Sequence, residues 1–319
     1  MKTEKQLNYV IGVDGGGSKT LAVLANLKKE ILARAETGPS NLRNVGIKTA
    51  GANISEAILK TINGISGKNV FSIFIALAAV EEEFKLEKGK IKKEILKIPK
   101  ISKTLKGKIE IISDQIAGFK SGTDEKDGLV LISGAGSVCH GWRKNREVKV
   151  SGWGWLNDEG SGFWAGRRVF QAIFRELDSR GKKTLLTKLT FRRLKVKTKE
   201  DLLFKIYSEN STKIIPLLSI YCDTAAKKGD RVAKKIMLEA GKELSLAAKT
   251  VIKKLNFQKS RFPLVMVGGM FKSKIVLDTV KREIKKVAPK VQFIQPKVEP
   301  AIGAVKLAIE KLKYGGIKS

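Results

Sequence analysis

Two aspartates each follow an apolar strand-like run and precede small residues. Asp14 ends the run NYVIGVD and is followed by the turn GGGSK. A carboxylate at such a strand end can hold a hydrated Mg²⁺, which keeps most of its waters and uses few protein carboxylates. Asp114, in the sequence SDQIAG, can act as a general base toward a hydroxyl group. Read alone, Asp114 fits equally well an aspartate that caps a helix.

Three glycine-rich turns could hold a nucleotide. Glycines let backbone N–H groups approach an anion closely, and a nest of such groups holds phosphate oxygens. In VGGMF, the glycines would allow a flat ring or a ribose to lie against the backbone. Each turn alone also fits an ordinary hairpin or the start of a helix. The candidate nucleotide-binding residues are Gly15, Gly16, Gly17, Ser18, Lys19, Thr20, Gly134, Ala135, Gly136, Ser137, Gly268, Gly269, Met270 and Phe271.

The loop GWGWLNDEGSG packs aromatic, acidic and glycine residues densely before a predicted helix. Such a composition is unusual for a connection and favours a binding role. A capping turn with Trp153 and Trp155 in the core remains an equal alternative on spacing alone. Within this loop, the candidate substrate residues are Gly152, Asp158 and Ser161.

The elements that must position these residues follow from the apolar periodicity. Predicted strands cover 8–14, 20–27, 30–36, 70–77, 108–113, 128–133, 138–143, 147–150, 263–267 and 291–294. Predicted helices cover 47–63, 161–177, 200–207, 213–227, 230–255, 274–287 and 301–313, with a Lys/Glu-rich helical stretch before 108. Both halves begin with strands around a glycine turn, which indicates a weak internal duplication. We therefore expect an α/β protein with domains at 1–118 and 119–319, in which the helix 301–313 could pack back on the first domain.

Composition excludes several classes of protein. The only histidine is His140, and neither Cys139 nor Cys222 belongs to a CxxC pair, which argues against a structural zinc site. No GxxxxGK[ST] sequence is present, which excludes a P-loop nucleotidase. With no signal peptide pattern and no apolar run long enough for a membrane span, we expect a cytoplasmic protein without a membrane partner.

The charge is the least ordinary property, with 63 Lys and Arg against 31 acids and a net of +32. An excess of this size would suit a nucleic-acid partner. The lysines occur in every segment, however, and no basic run is interleaved with aromatic residues as a base-stacking surface requires. We therefore interpret the charge as a surface bias and do not expect nucleic-acid binding.

The ordered set DGGGSKT, DQIAG, ISGAGS, GWGWLNDEGSG and VGGMF resembles the BadF/BadG-type ATPases and, within them, the N-acetylglucosamine kinases. The resemblance spans nearly the whole chain, and the tryptophan-containing loop is its most specific part. It implies the actin/Hsp70/sugar-kinase fold, in which two ribonuclease-H-like domains enclose a cleft. It also implies ATP and Mg²⁺ as cofactors and a sugar, best a hexosamine, as the acceptor. By family analogy, the protein would be a homodimer.

The resemblance also implies individual roles. Asp14 would bind Mg²⁺ through water, Asp114 would take the proton of a sugar hydroxyl, and Asn41 and Asp158 would contact the sugar. The turns at 16–20 and 134–137 would hold phosphates, while 268–271 would lie by the adenosine. Where the family commonly has an asparagine after the second turn, this chain has Val138, which predicts weak selectivity for the acetamido group.

Two other functions are alternatives to a sugar kinase. An ATP-driven activator of 2-hydroxyacyl-CoA dehydratases would need cysteines that share an iron–sulfur cluster across a dimer. Cys139 and Cys222 do not stand in that sequence context. A non-catalytic sugar or nucleotide sensor would have no need of both Asp14 and Asp114.

Overall fold

In the computed structural model, which describes residues 8–78, 80, 85–208 and 211–314, the chain forms two compact units. The first unit comprises the chain up to residue 124 together with residues from 296 onward, and the second comprises residues 125–295. Each unit is built on one five-stranded mixed sheet with helices packed against it. The predicted α/β class is confirmed.

The first unit begins with an antiparallel meander and continues with parallel strands. Its strands are β1 (Tyr9–Gly15), β2 (Thr20–Asn26), β3 (Ile31–Thr37), β4 (Val70–Leu77) and β5 (Ile109–Ser113), in the order β3-β2-β1-β4-β5. Its helices are α1 (Leu42–Thr61), α2 (Lys85–Ile95), α3 (Pro99–Leu105), α4 (Asp114–Gly122) and α11 (Pro300–Tyr314). The side chains of β1 and β4 are nearly all buried because helices cover both faces of the sheet.

Parallel pairing brings the functional ends of three strands to one edge of this sheet. β4 pairs in parallel with β1 and with β5, so that Gly15 lies beside Leu77 and Leu77 lies beside Ser113. Asp14 and Asp114 therefore stand at the same carboxyl edge, with β4 between their strands. In open α/β sheets, ligands bind at this edge.

The second unit repeats this topology. Its strands are β6 (Gly128–Ser133), β7 (Ser137–Arg143), β8 (Arg146–Ser151), β9 (Phe262–Val267) and β10 (Val291–Ile294), in the order β10-β9-β6-β7-β8. Again an antiparallel meander is followed by two parallel strands. The helices are α5 (Gly162–Leu177), α6 (Leu185–Leu194), α7 (Lys199–Ser208), α8 (Ser211–Lys227), α9 (Arg231–Lys254) and α10 (Lys274–Lys285). The shared strand order supports the internal duplication that the sequence indicates.

Some elements differ from the sequence-based expectation. The helix expected over 47–63 begins at Leu42 and contains Gly46 at φ 74°, a kink that only a residue without Cβ adopts easily. α6 was not predicted, because its sequence LLTKLTFRRL mixes β-branched, basic and apolar residues without a clear period. The boundary expected near residue 118 falls inside α4, and the chain divides at 124/125 instead.

The last helix completes the first unit. α11 packs against β1, β4 and α4. Two glycines let the backbones approach: a methyl group at Gly12 would overlap the carbonyl oxygen of Ala301, and one at Gly303 would overlap that of Ala117. This close contact buries the apolar face of α11, including Val305, against the sheet.

In the part of the chain that the structure describes, no helix combines the length and the apolar composition that crossing a lipid bilayer requires.

The close approach of α11 makes a stability prediction. Gly303→Ala should lower the free energy of unfolding by about 3 kcal/mol, because the added methyl forces α11 away from α4. Gly89→Ala is the matched control, since Gly89 lies exposed in α2 with open space at its Cβ position. It should raise stability by about 0.5–1 kcal/mol. Urea unfolding of both variants provides the comparison, and equal effects would contradict the packing described.

Candidate functional site

The surroundings of the Asp14 side chain destabilise the charged form of its carboxyl group. It lies near the end of β1, paired with Leu21 of β2 and Ala76 of β4. Burial raises its pKa to about 7, and the negative charge of Asp114 adds to the rise. Lys19 opposes the shift, but its ammonium group is bound to Glu36 at 2.6 Å. The site is therefore short of positive charge, and a cation there would stabilise the carboxylate.

The turn after Asp14 is a tight hairpin. The N–H of Gly16 donates to the carbonyl of Lys19 at 3.0 Å, and Gly17, Ser18 and Lys19 are exposed. Exposed backbone at a hairpin tip is suited to an anionic ligand. Thr20 differs, because it is fully buried and its hydroxyl donates to the carbonyl of Gly38 at 2.7 Å. Thr20 thus holds the neighbouring loop in place.

That neighbouring loop, 38–41, is fixed to the hairpin. The carbonyl of Gly16 accepts from the N–H groups of Ser40 at 3.0 Å and Asn41 at 3.1 Å. The Ser40 hydroxyl fills the space where a Cβ of Gly15 would lie. Asn41 caps α1, its side-chain oxygen accepting from the N–H of Arg43 at 3.0 Å. The structure thus brings the proposed sugar residue Asn41 directly beside the proposed phosphate hairpin.

Asp114 is the first residue of α4. The helix is capped by Ser113, whose hydroxyl accepts from the N–H of Gln115 at 3.2 Å. Since Ser113 performs the capping, the alternative interpretation of Asp114 as the cap is wrong. Asp114 is half-buried and acts electrostatically on Asp14. The two carboxyl groups thus form one site in the first unit.

In the second unit, the turn 134–136 joins β6 to β7. Its carbonyl oxygens face α5: Gly134 accepts from the N–H of Gly162 at 2.7 Å, and Ala135 accepts from that of Phe163 at 3.1 Å. Ser137 is buried, and its hydroxyl donates to the carbonyl of Glu159 at 2.7 Å. The turn is therefore anchored through its carbonyls to the start of the helix.

Asp158 and Ser161 have internal partners. The Asp158 side chain is only 5% exposed and accepts from the backbone N–H groups of Ser137, Gly152 and Gly154. Burial raises its pKa, and these backbone N–H groups oppose the rise. The fully buried Ser161 caps α5, its hydroxyl accepting from the N–H of Trp164 at 3.1 Å. Their predicted contacts with a substrate stay predictions.

The third glycine turn follows β9. Gly268 has φ 116°, and a methyl group there would overlap the carbonyl of Ser133. Gly268 and Gly269 are exposed, whereas Met270 and Phe271 are buried in the apolar core. Only the two glycines therefore offer exposed backbone to a flat ligand, while Met270 and Phe271 anchor the turn in the apolar core.

Sequence reasoning missed Glu299. This residue lies just before α11, accepts from Arg34 at 3.0 Å, and its charge adds to the rise in the pKa of Asp14. Glu299 stands 285 positions after Asp14 in the chain, so no local pattern could place it there. Within the described residues, no three His, Cys, Asp or Glu side chains cluster as a complete metal cage. An acid such as Asp14 with few protein partners fits Mg²⁺, which binds one or two carboxylates together with substrate phosphates.

Comparison with known proteins gives a consistent result. The model of the BadF/BadG/BcrA/BcrD ATPase family matches residues 11–308. An N-acetylmuramic acid/N-acetylglucosamine kinase of Clostridium acetobutylicum is 32% identical over 308 residues, covering 95% of this chain and 98% of that protein. An N-acetyl-D-glucosamine kinase of Dictyostelium discoideum is 31% identical over 321 residues, with 95% and 98% covered.

Solved structures agree in fold. A candidate N-acetylglucosamine kinase from Chromobacterium violaceum superposes with a TM-score of 0.75 at 20% identity, covering 95% of this chain and 99% of that chain. A ROK family glucokinase from Streptomyces griseus gives a TM-score of 0.60 at 16% identity, with 95% and 100% covered. These likenesses confirm the predicted α/β fold with two domains.

The raised pKa of Asp14 predicts a pH-dependent stability. Asp14 has pKa 3.8 as its ordinary value and about 7 in the folded protein. Between these values the folded protein keeps a proton that the unfolded chain has lost, so stability falls as the pH rises through this window. Asp14→Asn removes this pH-dependent loss of stability, because an asparagine side chain does not titrate. The Tm advantage of the variant over the wild type should therefore grow from about pH 4 to about pH 7 and level off above.

Thermal unfolding without metal or nucleotide measures this advantage. Asp201→Asn is the control, because backbone N–H groups of Lys197 and Thr198 hold the pKa of Asp201 below its ordinary value. The Tm difference of the control should stay constant over the same window. A Tm advantage of Asp14→Asn that does not change with pH would mean that the carboxyl is not held as described.

Proposed function

Because this chain belongs to the BadF/BadG/BcrA/BcrD ATPase family, we propose that it is an ATP-dependent kinase acting on N-acetylglucosamine or a related hexosamine. The observation that carries the proposal is the pair Asp14 and Asp114 at the carboxyl edge of one sheet, beside an exposed glycine hairpin. Phosphoryl transfer needs a metal-binding carboxylate, phosphate-binding backbone and a base. The named kinase relatives match along nearly their whole length, which supports the same assignment.

Asp14 and Asp114 take different roles in this proposal. Asp14 would hold Mg²⁺, and the ion would neutralise the charge on the phosphates of ATP. Asp114 would accept the proton of the sugar hydroxyl while that oxygen bonds to the γ-phosphorus and the bond to ADP breaks. The proton then resides on Asp114 and leaves to solvent after the phosphorylated sugar departs.

Backbone groups would bind the rest of the nucleotide. The exposed hairpin residues Gly17, Ser18 and Lys19 would offer N–H groups to phosphate oxygens, as would Ala135 and Gly136 of the second turn. The N–H groups of Gly16, Gly134 and Ser137 already donate within the protein, so these residues would shape the turns. Gly268 and Gly269 offer flat backbone to the adenosine. Thr20 would contribute indirectly, because its buried hydroxyl donates to Gly38 and so fixes the loop that carries Asn41.

The polar groups proposed to hold the sugar are assigned from the family resemblance. Asn41 uses its side-chain oxygen as a helix cap, so its amide NH₂ is the group that would donate to a sugar oxygen. Gly152 and Asp158 belong to the tryptophan-containing loop, and their contact with the sugar is proposed from the resemblance. Ser161 would act through its capping of α5, since its hydroxyl is buried.

The activator alternative has less support. Cys139 and Cys222 are both buried in the apolar core, and burial raises the pKa of each thiol. Cysteines that share a cluster with a second subunit must instead reach the surface of their own subunit. A non-catalytic sensor is disfavoured by the presence of both Asp14 and Asp114 with the pKa coupling described.

The direct test is release of ADP from ATP and Mg²⁺ over a panel of sugars. N-acetylglucosamine or glucosamine should increase ADP release well above the rate without sugar. If no sugar increases it, while nucleotide still binds, the sensor becomes the better interpretation. Iron and sulfide analysis of protein purified without oxygen would test the activator, and a negative result is expected.

Asp114→Asn should lower kcat by roughly 10²-fold or more, because it removes the proton acceptor. Affinity for nucleotide, measured by calorimetry, should change little. Asp124→Asn serves as the control, since that carboxylate is exposed and bound to Lys306 at 2.9 Å. An unchanged kcat for Asp114→Asn on the true substrate would remove Asp114 from the role of base.

Val138 makes a prediction about selectivity. It is buried, and a methyl group at Gly152 would meet its side chain, so it presents only apolar surface at the base of the tryptophan-containing loop. An apolar pocket separates near-isosteric substrates by only ~1–3 kcal/mol. Glucosamine or glucose should thus be used within about a hundredfold of N-acetylglucosamine in kcat/KM. A preference above about 10⁴-fold would mean that another residue recognises the acetamido group.

A further inference from the structure

The carboxylate of Asp158 joins two loops that the proposed function assigns to different ligands. One oxygen accepts from the N–H of Ser137 at 3.3 Å, in the proposed phosphate turn. The other accepts from Gly152 and Gly154, both at 3.1 Å, in the tryptophan-containing loop. A single side chain therefore fixes the backbone of both loops.

Other bonds reinforce the same junction. The hydroxyl of Ser133 donates to the carbonyl of Gly160 at 3.0 Å, and that of Ser137 donates to Glu159 at 2.7 Å. The Ser151 hydroxyl donates to the carbonyl of Ser137 at 3.2 Å. Asp158 differs from these serines because it alone carries a charge, and charge-assisted bonds to backbone N–H groups are the stronger kind.

The glycines at the junction have no room for a side chain. A Cβ at Gly136 would lie 2.6 Å from a carboxylate oxygen of Asp158, and a Cβ at Gly152 would lie 2.9 Å from Val138. The present place of the Asp158 carboxylate thus depends on Gly136 having no side chain. This dependence lies within one unit and needs no substrate.

We infer that Asp158 is a positioning residue for nucleotide binding, which holds the phosphate turn in shape before any sugar is present. The inference rests on the proposed function and extends the sugar contact that the family resemblance assigns to this residue. It implies that the loop facing the sugar and the turn facing the phosphates are coupled mechanically through one carboxylate.

The first test is the affinity for a non-hydrolysable ATP analogue with Mg²⁺ and without sugar. Asp158→Asn keeps the size of the side chain but places an NH₂ group against at least one backbone N–H donor. Affinity should fall about tenfold or more, since a charge-assisted bond is lost. Asp127→Asn is the matched control, because the carboxylate of Asp127 also accepts from a backbone N–H, that of Lys144 at 2.9 Å. The affinity of this variant for the ATP analogue should equal that of the wild type.

Three outcomes separate the inference from its alternatives. If Asp158→Asn raises only the KM for sugar and leaves nucleotide affinity intact, Asp158 is a sugar contact alone and the inference is overturned. If the wild type binds no nucleotide, the proposed function fails. A fall in nucleotide affinity with an unchanged Tm supports the positioning role over a general loss of stability.

A double-mutant cycle tests the mechanism. Gly136→Ala should weaken nucleotide binding because its methyl displaces the Asp158 carboxylate. In an Asp158→Ala background that space is open, so the same substitution should cost little more. If the cost of Gly136→Ala persists in that background, the methyl acts directly on the nucleotide and the mechanical link is wrong.

Hydrogen exchange of the wild-type protein provides a test that needs no variant. Binding of the analogue should slow exchange of the Gly152 and Gly154 amides, which donate to Asp158 and lie outside the proposed nucleotide contacts. Unchanged exchange at both amides, with slowed exchange at Ser137, would contradict the coupling.

Discussion

The burial of Asp14 is the constraint on which the first unit depends. A carboxyl group at the end of a covered strand loses hydration, and a second acid, Asp114, stands at the same sheet edge. Folding would be easier if a cation or a hydrogen-bond donor compensated this charge. Instead, Lys19, which opposes the rise in the pKa of Asp14, is bound to Glu36, and that pKa stays raised. Sites of this kind cost stability and are kept where a ligand supplies the missing positive charge.

The second unit uses the same topology without the same chemistry. β1 carries Asp14 as its penultimate residue, whereas β6 has Ile132 there and ends in Ser133, whose hydroxyl donates to the carbonyl of Gly160. The acid of this unit, Asp158, comes from a loop and turns its carboxylate inward to backbone N–H groups. One unit thus carries acids poised toward a ligand, while the other uses an acid to shape its own backbone. In the proposed function, two units of the same strand order thus contribute in different ways.

Much of this arrangement could be predicted from the sequence, because apolar runs and glycine turns are local signals. The strands 70–77 and 128–133 were predicted to the residue, and the order of the five motifs indicated the family. The roles of single side chains were less predictable. Thr20 and Ser161 look like ligand contacts in a motif, but both are buried as structural donors and caps. Glu299 affects Asp14 only because α11 returns to the first sheet, and no spacing reveals that return.

That return of α11 also has a consequence for the order of events during synthesis. The second unit is complete when residue 295 has been made, whereas the first unit lacks α11 until residues 300–314 have followed. Domains usually fold as the ribosome delivers them, the N-terminal one first. Until α11 has been made, the apolar surface around Val10 and Gly12 in the nascent first unit stays uncovered. The later half of the chain can therefore reach its native state before the earlier half, and a ribosome stalled before residue 300 would leave Asp14 and Asp114 on an unfinished sheet.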